Sequence, residues 1–137
     1  MKDTTTRTPV SADDFHARVA QRAGLDGERA PRATDAVLET LADRITGGEV
    51  DDLERLLPPE LHPPLERGKA QTNGAARPLS LDDFVRSIAE REGVTPDEAF
   101  EHARAVFATL RETVGEDELS DVRAQLPDDY AALLARP

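Results

Sequence analysis

Histidines, adjacent carboxylates and a single tyrosine are the side chains with which this chain could do chemistry. The histidines are His16, His62 and His102. None stands in the His-Glu-x-x-His spacing that puts two ligands on one helix face, and there is no cysteine to complete a zinc site. His16 follows Phe15 at a helix start and reads as a surface contact, His62 lies among prolines, and His102 reads as a half-exposed helical side chain. Asp13-Asp14 and Asp82-Asp83 have the form of paired carboxylates for metal binding or acid–base work. Each pair opens a helix, however, where the helix dipole favours negative charge and the backbone needs a cap, so capping is the preferred reading. Glu116-Asp117-Glu118 and Asp128-Asp129 have the same explanation. The alternating oxygen ligands and central glycine of a calcium loop are missing.

No nucleophile elbow, phosphate loop or dinucleotide fingerprint occurs. Gly47-Gly48 is an interhelical break whose neighbours Glu49, Asp51 and Asp52 would repel phosphate. Tyr130 reads as core or rim. The residues therefore name no catalytic group, no metal ligand and no cofactor.

Composition decides what kind of scaffold carries these side chains. Apolar residues are 38% of the 137, aromatics only 4%, and there is no tryptophan. Alanine, leucine and valine must fill the core, which suits close-packed helices better than strands. The net charge of −11 argues against binding nucleic acid or an anionic membrane, since both require lysine and arginine. It would suit a basic partner. No apolar run approaches the roughly 18 residues of a membrane span, and Met1–Arg7 lacks the apolar core of a secretory signal. A cytoplasmic location is the expectation.

Helical spacing recurs along the chain. Phe15, Val19 and Ala23 lie at i, i+4 and i+8 before a stop at Gly24. A second helix is expected over about 29–45, with Ala30, Ala33, Val37, Leu38, Leu41 and Ile45 inward and Glu28, Arg32, Asp35, Glu39 and Asp43 outward. A third runs from Glu49 to Leu57, and Pro58-Pro59 ends it. Pro63-Pro64 should leave any fourth helix short or absent. Residues 66–79 show no apolar period and read as a linker. The pattern then restarts: Phe84, Ile88 and Ala89 precede Gly93, and Thr95-Pro96-Asp97-Glu98 has the form of a capping box. Ala99, Ala103, Val106, Phe107, Leu110 and Val114 carry the next helix. Leu119, Val122 and Leu126 line another, and 128–134 can form a short last helix.

The restart is a repetition. Residues 11–65 set against 80–134 share 17 identities in 55 positions without a gap, where unrelated chains of this composition would share about 4 or 5. Matched items include Ser-x-Asp-Asp-Phe at 11 and 80, Gly24 with Gly93, Thr40-Leu41 with Thr109-Leu110, and Leu57-Pro58 with Leu126-Pro127. Convergent helix patterning explains apolar spacing but not matched stops. The expected organisation is a tail at 1–10, a helical repeat at 11–65, a linker at 66–79, a second repeat at 80–134 and a tail at 135–137. The two repeats, each marginal alone at about 55 residues, are expected to pack as one all-α bundle with approximate two-fold symmetry. The anchors of that core are Phe15, Val37, Leu41, Leu57, Phe84, Val106, Leu110 and Leu126. Pro31, aligned with Phe100, should delay or kink the second helix of the first repeat.

Phe15-x3-Val19-x4-Gly24, Ala36-Val37-Leu38-x2-Leu41 and Leu57-Pro58-x2-Leu61 together resemble a bacterial family of unknown function, domain 2267. Ala105-Val106-Phe107-x2-Leu110 and Val122 through Pro127 repeat the resemblance. It implies a fold and no assigned activity, so no catalytic residue is carried over. The expected function is that of a non-enzymatic interaction or scaffold module with a protein partner of basic character. A homodimer is compatible with it, and nucleic acid and membrane are not expected partners. The alternative is a ligand-binding or enzymatic protein with a pocket between the repeats, near His102 and Phe107. Nucleic-acid mimicry by the acidic surface is a third reading.

Overall fold

The computed structural model describes residues 11–134, so the expected tails at 1–10 and 135–137 lie outside the described residues. The described residues are all-α, with no strand. The helices are α1 (Ala12–Ala23), α2 (Arg29–Arg44), α3 (Gly47–Leu56), α4 (His62–Thr72), α5 (Leu81–Glu92), α6 (Pro96–Val114), α7 (Glu116–Ala124) and α8 (Ala131–Leu134). Short 3-10 turns at Pro59–Leu61 and Asp128–Tyr130 lead into α4 and α8.

The ends of these helices follow from local chemistry. Ser11 Oγ accepts the Asp14 N–H at 3.0 Å, and Ser80 Oγ accepts the Asp83 N–H at 3.1 Å. Serine is thus the cap, and the aspartates expected to cap sit within the first turn, where the exposed N–H dipoles favour them. Gly24 and Gly93 end α1 and α5 at φ of 69° and 79°, a left-handed conformation that costs a residue with a Cβ. Thr95 and Glu98 form the full capping box of α6. Pro31 delays its helix as expected. By the alignment α2 starts level with Glu98, two positions later than α6, and Pro31 then occupies the first turn, where no N–H is needed.

Three expectations are corrected. Residues 66–72 are not linker, because α4 continues to Thr72 and only 73–79 form an irregular connection. Pro63 and Pro64 occupy the first turn of α4 and initiate it instead of blocking it, since neither would have donated a helical hydrogen bond there. The fourth helix of the first segment is consequently the longer one, at 11 residues against four described in α8. Asp43, assigned to the wet face of α2, is fully buried.

One core collects apolar side chains from every α-helix. The eight expected anchors all lie in it, from Phe15, Val37, Leu41, Phe84, Val106 and Leu110 without accessible surface to Leu57 and Leu126 at the margin. Phe84 is its aromatic hub, stacked on Phe107 at 6.3 Å and tilted against Tyr130 at 5.0 Å. The packing interleaves the two segments: α1 lies against α6 and α2, while α5 lies against α2 and α6. α4 crosses α2 so closely that Gly68 faces the Glu39 carbonyl and Ala42 with no room for a side chain.

Candidate functional site

Two arginines tie the segments together. Arg22 of α1 donates to Thr109 Oγ1 at 2.8 Å and to Glu112 Oε2 at 2.5 Å, both on α6. Arg91 of α5 donates to Thr40 Oγ1 at 2.7 Å and to Asp43 Oδ2 at 3.0 Å, both on α2. Each threonine in turn donates to the carbonyl one turn back, Ala105 and Ala36 respectively. Every member of the first set stands 69 positions from its counterpart in the second. The environments differ. Glu112 is exposed and shared with Arg18, and the Arg22 guanidinium beside it holds its carboxyl below the usual range. Asp43 is buried and accepts a second bond from Arg77, and Arg91 extends further to Gln71 and Glu39.

The histidines do not converge. His16 is half-buried on α1, and burial lowers its pKa against the opposing pull of Asp35 and Asp13. His62 closes a turn against the Leu57 carbonyl at 3.0 Å. His102, expected to be half-exposed, is buried, with Nδ1 2.6 Å from Glu92 Oε2 at the α5–α6 contact. Burial raises the pKa of the Glu92 carboxyl, and the contact with His102 opposes the rise. The pairing with Glu92 has no visible signal in the sequence, because Glu92 aligns with Ala23 and His102 with Ala33. Phe107, the other expected pocket residue, is buried against Phe84. Tyr130 is core rather than rim: its O–H donates to the Leu79 carbonyl at 2.8 Å, and burial pushes its pKa up to about 12.

Two clefts open at the surface. One of about 330 Å³ is bordered by Ser120, Arg123, Leu126, Asp128 and Leu134. Another of about 90 Å³ lies beside Arg29, Arg32 and Glu92. Neither is lined by His102 or Phe107.

Carboxylates dominate instead. The first turn of α7 carries Glu116, Asp117 and Glu118, Asp121 follows one turn on, and Asp128 and Asp129 stand beyond it. All but Glu118 are exposed. The start of α3 is held to the end of α7 by Gln125, which accepts the Thr46 N–H at 2.8 Å. That contact brings Glu49 up to Glu118 and Asp121, an assembly that residue spacing along the chain does not predict. Its signal was present in the matched identities Glu49 with Glu118 and Asp52 with Asp121.

Fold and surface together define an all-α protein with an acidic face and a continuous core. No helix among the described residues is long and apolar enough to cross a membrane. A family model described as "Uncharacterized conserved protein (DUF2267)" matches residues 4–133, and the chain belongs to that family. No curated protein matches it in sequence.

Proposed function

We propose that this protein is a non-enzymatic helical interaction module that binds a basic protein segment. The observation that carries the proposal is the exposed acidic face of α7 and the turn after it, on a chain of net charge −11. Such a face attracts lysine- and arginine-rich segments and speeds their encounter. Binding of a Lys/Arg-rich peptide, followed by fluorescence anisotropy, should weaken steeply with salt. It should be lost on reversing Asp117 and Asp121 to lysine. Binding that ignores both salt and these reversals would refute the reading.

The proposal includes the architecture that presents this face: two copies of one ancestral unit, interleaved about an approximate two-fold axis. The equivalent Arg22–Thr109–Glu112 and Arg91–Thr40–Asp43 sets support it. So does the meeting of Glu49 with its counterpart Glu118, as expected of residues beside such an axis. A bacterial source and cytoplasmic location belong to the same reading, supported by the motif resemblance and by the absence of cysteine.

A further inference from the structure

We propose that Glu49, Glu118 and Asp121 form a binding site for a hard divalent cation, of the class of Mg²⁺, Mn²⁺ or Ca²⁺, that clamps α3 to α7. One carboxylate oxygen from each residue lies within 4.8 Å of the others. A common cation could therefore be reached by all three with small side-chain adjustments, given metal–oxygen distances of about 2.0–2.6 Å.

Clustered acidic residues on a surface would carry no such conclusion. Glu49 is different, being only 6% exposed. Its Oε2 is sealed from solvent and has no hydrogen-bond partner, and Glu118 Oε2 is in the same condition. A buried carboxylate oxygen without a donor is expensive, and here the nearest groups are further carboxylates. Among the described residues, no lysine, arginine or histidine forms an ion pair with any of the three.

The chemistry selects the ligand. Three carboxylate oxygens, with neither imidazole nor thiolate, suit hard oxygen-seeking cations over zinc or copper. Asp121 lies at the exposed rim, leaving room for the water ligands that Mg²⁺ and Mn²⁺ retain. A second acidic trio, Asp51, Glu54 and Glu66, differs because Lys69 Nζ already lies 2.8 Å from Asp51 Oδ1. A cation there would have to compete with an ammonium.

The site shares Asp121 with the acidic face proposed above but does not rest on that reading, and its test uses Glu49 and Glu118 instead. Its test is thermal unfolding of the full chain in EDTA and in increasing Mn²⁺, with Mn²⁺ binding read by electron paramagnetic resonance and Mg²⁺ and Ca²⁺ as competitors. Wild type should bind Mn²⁺ and gain melting temperature with its concentration. Glu49→Gln should lose affinity by more than about tenfold, as loss of a ligand must exceed the effect of an outer-shell change. In EDTA the same variant should melt higher than wild type, because an amide removes the repulsion and can donate to Glu118. Glu118→Gln should behave alike, and Glu54→Gln should keep the full Mn²⁺ response. Absence of any Mn²⁺ effect on wild type would overturn the site and leave a proton shared by the carboxylates in its place. A response that survives Glu49→Gln, or that disappears in Glu54→Gln, would overturn it as well.

Discussion

Truncating Asp43 and Glu112 to alanine should have very different consequences, although the two residues occupy equivalent positions and accept from equivalent arginines. Asp43 has no accessible surface, and its Oδ2 receives Arg77 and Arg91, each at 3.0 Å. Removing one partner of a buried charged pair typically costs 3–5 kcal/mol, because the surviving charge is left uncompensated. Here Arg91 keeps Thr40, Gln71 and Glu39, so Asp43→Ala should fall at the lower end, about 3 kcal/mol. The Glu112 side chain is 42% exposed, and water can replace it around Arg22 and Arg18. Glu112→Ala should therefore cost about 0.5–1 kcal/mol. Urea unfolding followed by circular dichroism measures both, provided the slopes match wild type. Salt separates them further: at about 0.5 M NaCl the Glu112 contribution should be largely screened while that of Asp43 persists. Equal costs for the two variants, or a larger one at Glu112, would refute the argument that burial sets the value of these contacts.

Other substitutions probe other links. Gly68→Ala would place a Cβ 2.3 Å from the Glu39 carbonyl oxygen and 2.6 Å from Ala42 Cβ, so α4 must move off α2. A loss of about 2–3 kcal/mol in the same urea assay is expected, and a neutral result would mean that the crossing is looser than described. Tyr130→Phe removes the bond to the Leu79 carbonyl while leaving the packing on Phe84, and should cost about 1–1.5 kcal/mol. Burial, followed by the facing Glu66 carboxyl, pushes the Glu54 pKa up to about 7. Between its unfolded and folded pKa values the native state holds more protons, so this group destabilises progressively as pH rises through that window. The stability of Glu54→Gln relative to wild type should grow from about pH 5 to about pH 8 and then level off, as measured by thermal melts; a constant difference would remove the raised pKa.

Much of this molecule is local and could be read from the chain. Ser11, Ser80, Thr95, Gly24 and Gly93 act on backbone groups within four residues of themselves, so their identity suffices to place helix ends. The apolar spacing of Phe15, Val37, Leu41, Phe84, Val106 and Leu110 likewise marks inward faces wherever the helix goes. Position within a helix was harder, as Pro63-Pro64 shows, because the same residues that interrupt a helix also start one.

Tertiary structure alone decided which polar side chains are buried. Asp43 and His102 have the periodicity of solvent-facing or half-exposed residues, yet both are enclosed because α5 packs against α2 and α6. Residue order alone shows that helices form, where α1 and α5 stop, where α6 starts and that the pattern occurs twice, but not that α4 runs on to Thr72. The approach of Glu49 to Glu118, across 69 positions, depends on how α3 and α7 are brought together. Electrostatic environment depends on distance in space and on displaced water, and neither is encoded in the spacing of residues along a chain.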